Sequence, residues 1–451
     1  LSMMTLASGD SRGFQFVGDV MLRDLIRLRL GGLLSAEAGV SANEHRNTYY
    51  LCVEVFWWGI AFGTYLSYLS VFAARLGASN FWIGVLSSGP ALVSIFWLVP
   101  AGRLVERQQR QMPILNVSLV AARLFIFLML LTPWLAPAHP GEALAIMVVL
   151  QSFPTGVLNV AFTSVLADAI SLPQLGRVVS QRTALVWLAS SLGTLVSLPI
   201  LAWLPLPTNY QIVLAIGFVA AMVSAYYVSR VQVPDRPPQL PETPRRRAAL
   251  SWAALHSAWL EHPQYSGYVL AAFIYHAGLY IAVPLFPIYW VRVLNLSDAW
   301  IALVTVAFGL ASVAASLISA PLIRRWGNNR LLVYSAVGMG FYPVATALAK
   351  SPLDLVWVVL LGGFFYGPLS ISLVNRLIEV APAAHRARYI GLYNAVINVA
   401  IFALPLASTA LIPFWGIERL LFAAGAVRMG GGLLFLLSRG DVASTSQSVE
   451  Q

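Results

Sequence analysis

Leu76-Gly77-Ala78-Ser79-Asn80-Phe81-Trp82-Ile83 is answered 218 residues later by Leu294-Asn295-Leu296-Ser297-Asp298-Ala299-Trp300-Ile301. The same offset carries Gly102-Arg103-Leu104-Val105-Glu106-Arg107 onto Ala320-Pro321-Leu322-Ile323-Arg324-Arg325. Further along each half, Asp168 and Arg177 stand nine residues apart, as do Glu379 and Arg388, at an offset of 211. Three landmarks in the same order describe a chain made of two copies of one unit, with the weak internal symmetry that duplicated membrane folds show.

The material between the landmarks fits that reading. Of 451 residues, 59% are hydrophobic and only 10% charged, and the mean hydropathy is +0.75. A soluble domain carries about 25% charged residues, so a soluble globular protein and a disordered one are both excluded. A bilayer core about 30 Å thick needs roughly 20 apolar residues per helical span. Apolar runs and their polar breaks give six segments at 49–72, 81–101, 113–135, 143–167, 183–204 and 211–229. Six more follow at 265–290, 299–320, 331–349, 353–377, 389–412 and 418–437. Pro154, Pro199, Pro284 and Pro405 fall inside them, which membrane helices tolerate better than soluble ones. The expected fold is an all-α membrane protein of twelve transmembrane helices in two pseudo-symmetric six-helix bundles.

Charge sets the orientation. The net charge is +10, from 27 Arg and the single Lys350 against 18 acids. The basic residues sit in short gaps between apolar runs, the pattern of membrane topology rather than of nucleic-acid binding. With twelve spans both termini share a side. That side takes 22 of the basic residues at span ends and in gaps, and the other side takes 4. Both termini are therefore expected in the cytoplasm and the chain in the plasma membrane. The domain reading is a cytoplasmic tail at 1–48, a first bundle at 49–229, a cytoplasmic linker at 230–264, a second bundle at 265–438 and a cytoplasmic tail at 439–451. Residues 20–34 mix apolar and basic side chains and suit either an interfacial helix or a loose tail. Five Arg and five acids in the first 48 residues, with no long apolar core before a cleavage site, argue against a signal peptide. Arg245-Arg246-Arg247 in the linker is a candidate contact for lipid headgroups. Cys52, the one cysteine, has no intramolecular disulfide partner.

Gly102-Arg103-Leu104-Val105-Glu106-Arg107-Gln108-Gln109-Arg110 resembles the loop between helices 2 and 3 of the major facilitator superfamily, G-x-L-x-D-R-x-G-R-R. Glu106 replaces the Asp and Gln109 the second Gly. The second copy keeps Leu322, Arg325 and Gly327. A Gly-rich G-x-x-x-G-P pattern in helix 5, frequent in that family's proton-coupled drug antiporters, reads here Gly193-Thr194-Leu195-Val196-Ser197-Leu198-Pro199, which weighs against drug efflux. The resemblance spans residues 47–437 and implies a transporter working by alternating access, a monomer without cofactor. It also implies that Glu106, Arg107, Arg110, Asp168 and Arg177, with Arg325, Arg330, Glu379 and Arg388 in the second half, form ion pairs that close the cytoplasmic side. The plainer reading of these charges is topology and helix-end matching.

Other polar residues lie inside spans. Glu54, Trp58, Ala61, Tyr65 and Tyr68 fall on one helical face. A carboxylate in hydrocarbon costs several kcal/mol, so Glu54 is expected to face the bundle interior, where it suits a proton carrier, or to reach the nearby interface. Gln151, Thr155, Asn159 and Phe162 share a face of span 4. Span 7 holds Tyr275, His276 and Tyr280, and span 11 holds Asn394 and Asn398. In the family fold spans 1, 4, 7 and 10 face the central cavity and span 11 contributes to its wall, so the polar faces are candidates for binding substrate or protons. Interhelical hydrogen bonding is the alternative. An imidazole titrates near neutral pH, which makes His276 a second candidate for proton coupling. Arg123 and Arg428 lie in mid-span, and such charges need an acid, a carbonyl or water. Asp168 or Glu54 for Arg123 and bound anions for both are the options the sequence leaves.

No G-x-x-x-x-G-K-[ST] loop, metal-binding His pair or nucleophile elbow is present in the sequence. The function expected is secondary transport of a small organic solute, with protons as the coupling ion and lipid around it. Uptake and efflux stay open. The alternative is a polytopic sensor or intramembrane enzyme, for which the sequence holds neither a soluble module nor a catalytic constellation.

Overall fold

Hydrocarbon offers no hydrogen-bond partners, so a chain this apolar must satisfy its backbone within each segment, as helices do. The computed structural model describes residues 41–234, 262–382 and 386–436, and the regular structure among them is helical throughout. The first half holds α1 (Ala42–Thr64, carried on by a 3-10 turn at Leu66–Tyr68 and a helix at Leu69–Arg75), α2 (Asn80–Glu106) and α3 (Gln111–Leu135). It continues with α4 (Pro140–Ala169), α5 (Leu172–Trp203) and α6 (Thr208–Ser229). The second half holds α7 (Pro263–Ala282, carried on by Leu285–Ile288 and a π-helical turn at Tyr289–Val293), α8 (Asp298–Trp326) and α9 (Asn328–Leu348). It ends with α10 (Pro352–Val380), α11 (Arg386–Trp415) and α12 (Ile417–Leu434). Eleven of the described helices are long and apolar enough to cross a membrane. The twelfth, α12, takes its place in the bundle with Glu418, Arg419 and Arg428 along its 18 residues.

The two halves pack alike. In the first, α1 lies against α5 and α6, α2 against α4, and α3 against α4 and α6. In the second, α7 lies against α11 and α12, α8 against α10, and α9 against α10 and α12. Each contact of one half has its counterpart six helices on, so the repeat read from sequence is a repeat of packing. The halves meet along two seams that are themselves equivalent, α2 on α11 and α5 on α8. Even the turn that opens the repeat is copied: Gly77 at φ 83 and Asn295 at φ 49 occupy equivalent places. Gly and Asn are the residues that enter the left-handed region most readily.

Small residues let helices approach where lipid supplies no hydrophobic drive between them. At Gly63 in α1, an added Cβ would stand 2.0 Å from the Ser190 carbonyl oxygen of α5. Gly63→Val is therefore expected to force α1 and α5 apart and to lower stability by about 1–3 kcal/mol or more. Thermal unfolding of the detergent-solubilised chain reads this directly.

Two helix starts differ from the sequence reading. α1 begins at Ala42, within the stretch read as tail, because Ser41 caps it: its Oγ accepts the Glu44 amide at 3.2 Å. α5 begins at Leu172 rather than at 183. Ser171 takes the extended N-cap conformation and a proline stands in the first turn, the arrangement that starts helices. Arg182, read as a gap residue, thereby lies about three turns inside α5. The rest of the N-terminal tail, most of the linker with Arg245–Arg247, and the C-terminal tail lie outside the described residues.

Candidate functional site

The repeated stretch does more than mark the duplication. Asn80 and Asp298 are equivalent residues at the start of α2 and α8, at the end of the bundle opposite the Gly102 loop. Each accepts an arginine from the other half. Arg75 Nε donates to Asp298 Oδ1 at 2.8 Å, and a second Arg75 nitrogen donates to the Leu296 carbonyl. In return Arg292 donates to Asn80 Oδ1 and to the Ala78 carbonyl. The Asp298 carboxylate also accepts Asn209 Nδ2 at 3.0 Å and Tyr210 Oη at 2.8 Å, both from α6. Tyr210 is fixed by stacking on Phe72 with centroids 4.8 Å apart. This reciprocal latch between the halves was not read from sequence, although both of its acceptors lie in the stretch that revealed the repeat.

At the other end the residues singled out by motif are arranged differently. Glu106, Arg107, Arg110, Arg177, Arg325 and Arg330 are exposed, and Asp168 is half-buried. Arg110, Asp168 and Arg177 are each engaged with a neighbour. Glu379 pairs within its own helix, accepting Arg376 Nη1 at 3.1 Å. A Cβ built on Gly102 meets nothing within 4 Å. The side chain of Arg388 lies outside the described residues.

Inside the first half, Glu54 is 4% exposed and forms an ion pair with Arg182. The pair bridges α1 to α5. Ser224 of α6 adds a hydrogen bond to Glu54 Oε2 at 3.2 Å, and Arg182 also donates to the Leu51 carbonyl. The Phe162 ring lies 4.9 Å from the Arg182 guanidinium. Arg123 sits elsewhere, 3.6 Å above the Trp58 ring, a cation–π contact. Neither acid considered for Arg123 forms an ion pair with it. The Tyr65 ring lies against Trp58 with centroids 6.3 Å apart, and Gln151 Nε2 donates to the Ala122 carbonyl at 2.8 Å. Thus Glu54, Trp58, Tyr65, Gln151 and Arg123 gather in one region around α1. Asn159 is exposed farther along α4.

Inside the second half, Arg428 is 1% exposed and its Nε donates to Tyr275 Oη at 2.8 Å. The His276 Nδ1 lies 2.7 Å from the Ala272 carbonyl oxygen, one turn back. Its proton is therefore on Nδ1, which leaves Nε2 as the acceptor in the neutral ring. Tyr280 stacks on His276 with centroids 6.2 Å apart, and Tyr393 of α11 meets it edge-on at 6.5 Å. Asn398 is half-buried and Asn394 exposed. The first helix of each half thus carries its half's aromatic and polar cluster. A buried arginine from a different helix, α3 or α12, lies against each cluster.

Comparison with known proteins agrees with this architecture. The family model described as Major Facilitator Superfamily matches residues 55–297 and 268–450. The chain is 28% identical over 162 residues to the Staphyloferrin B transporter of Staphylococcus aureus (strain NCTC 8325 / PS 47), covering 35% of this chain and 38% of that protein. It is 32% identical over 121 residues to the Na(+), Li(+), K(+)/H(+) antiporter of Planococcus maritimus, covering 25% and 28%. The chain thus spans well under half the length of these curated relatives. A solved bacterial homologue of the iron transporter ferroportin, in an inward-facing state, superposes with a TM-score of 0.65 at 13% identity, over 87% of this chain and 98% of that one. At that identity the likeness is one of fold.

Proposed function

This chain belongs to the Major Facilitator Superfamily, and on that premise we propose that it is a secondary transporter moving a small organic solute across the plasma membrane. Its two halves rock about the α2–α11 and α5–α8 seams so that one end closes as the other opens. The observation that carries the reading is the reciprocal latch. Arg75 on Asp298 and Arg292 on Asn80 tie the halves together at one end only by contacts that rocking can break. Both termini are cytoplasmic in this proposal, so the latched end faces outward and the Gly102 end faces the cytoplasm. Glu106, Arg107, Arg110, Asp168, Arg177, Arg325, Glu379 and Arg388 then hold the cytoplasmic end when the latch is open.

The coupling ion in this reading is the proton, carried by Glu54, the one acid among the buried residues described. Taking up a proton weakens its hold on Arg182 and so loosens α1 from α5. His276, whose ring is bonded to its own helix, is the second choice. The test is solute flux into liposomes holding the purified chain, driven by a pH gradient. Wild type is expected to accumulate solute. Glu54→Gln is expected to equilibrate it without accumulation and with flux that no longer follows pH. Unchanged pH dependence in Glu54→Gln removes Glu54 from coupling, and no flux of any solute by wild type removes the transport reading.

A further inference from the structure

The buried charges do not balance. Arg123 is 6% exposed and Arg428 is 1% exposed, and neither forms an ion pair among the described residues. Arg123 Nε and Arg428 Nη1 have no hydrogen-bond partner. Glu54, the one buried acid among the described residues, is held by Arg182. In the first half Arg123 and the largely buried Arg182 therefore share one buried carboxylate. In the second half Arg376, 7% exposed, pairs with the more exposed Glu379, while Arg428 pairs with no acid among the described residues.

A guanidinium is charged at any physiological pH, so neither group escapes its burial by losing a proton. What surrounds them is aromatic. Arg123 lies over Trp58, beside Tyr65, and Arg428 lies 4.9 Å from the Tyr275 ring centroid. Rings and a phenol oxygen soften the cost of burying a cation but supply no negative charge. Structural arginines in membranes find acids or carbonyls or reach the interface. These two do neither completely, and each retains a donor with nothing to receive it.

We propose, building on the transport reading, that the solute is an organic anion bearing at least two carboxylate or phosphate groups. Arg123 and Arg428 supply its charge partners from the two halves. Because each half contributes one cation, a bound polyanion draws the halves together, whereas the empty protein keeps two unmatched charges that favour neither closed state. The aromatic rings beside each arginine pack the solute's carbon skeleton, and the guanidinium fork fits either carboxylate or phosphate oxygens two at a time.

The test uses the full chain in nanodiscs and four probes: citrate, its neutral triethyl ester, fructose 1,6-bisphosphate and fructose. Binding is read by shift of the apparent Tm and by titration calorimetry, neither of which depends on flux. Citrate or fructose 1,6-bisphosphate is expected to stabilise the wild type while the neutral probes do not, and the pair of anions separates carboxylate from phosphate recognition. Arg123→Gln and Arg428→Gln are each expected to weaken anion binding at least tenfold. Arg123→Lys and Arg428→Lys, which keep the charge but not the fork, should recover part of it and serve where a Gln variant folds poorly. The proposal is overturned if neither anion binds, if the neutral probes bind as well as the anions, or if the Gln variants bind like wild type. A wild type that binds citrate yet moves nothing in liposomes fails as a transporter but keeps this site. One that accumulates a neutral solute and ignores both anions keeps the transport reading and loses this one.

Discussion

Arg182→Met is expected to lower the stability of the folded chain by about 3–5 kcal/mol, the cost of leaving one member of a buried ion pair without its partner. The side chains of Arg182 and Glu54 are 12% and 5% exposed, so water cannot take over the missing contact. The pair also ties α1 to α5, and Ser224 supplies only one neutral hydrogen bond in its place. The double variant Glu54→Gln/Arg182→Met removes both charges and is expected to recover most of the loss, since a neutral pair of similar volume pays no penalty for burying a lone charge. Reversible unfolding in mixed micelles, run as a double-mutant cycle, measures the coupling. A loss below about 1 kcal/mol in Arg182→Met is what a solvated surface pair gives, and it would mean that water reaches Glu54.

That pair also marks where sequence reading stopped. The fold was legible because it is written in long-range redundancy. Residues 76–83 and 294–301 match, the apolar runs are long, and the basic residues alternate by side. Each of these signals survives an error of several residues in any one span. Arg182 was lost to just such an error. In the sequence its charge falls at the end of a gap, although Ser171 and the proline near it signal a helix start well before it. With the start placed there, an arginine on α5 facing a carboxylate on α1 becomes a natural partner for Glu54. The latch was hidden for a different reason. Arg75 and Arg292 looked like ordinary span-end charges, and only the three-dimensional approach of the halves shows that each reaches the other's repeat. Arg123 and Arg428 were conspicuous in the sequence as charges in mid-span. Their aromatic surroundings were not, because Trp58 and Tyr275 belong to other helices and no local pattern pairs them.

Asp298→Ala, the second large effect, is expected to shift the population away from the latched state by tenfold or more. Asp298 is the hub of the latch: Arg75, Asn209 and Tyr210 all donate to it. Hydrogen bonds to charged groups contribute about 1.5–3 kcal/mol each, and three of them meet on this one carboxylate. A tenfold change in a two-state ratio needs only about 1.4 kcal/mol, so losing even one such bond without replacement is enough. Asn209 and Tyr210 belong to the same half as Arg75, so the alanine removes at one stroke the acceptor of every hydrogen bond that this half donates to Asp298. The Arg292 contacts to Asn80 and Ala78 remain, which is why the latch is expected to weaken rather than vanish. In a Cys52→Ser background, spin labels at His139 and Lys350 report on the latched end, and labels at Gln109 and Trp326 report on the Gly102 end. The variant should lengthen the first distance distribution and shorten the second, because in a rocking bundle the two ends move oppositely. Arg292→Ala should do the same to a smaller extent, since Asn80 accepts as a neutral amide where Asp298 accepts as an anion. If Asp298→Ala lengthens the first distance while the second stays fixed, the end frays locally and the halves do not rock as bodies. If neither distance changes, the latch does not set the balance between states, and the seams α2–α11 and α5–α8 hold the protein closed on their own.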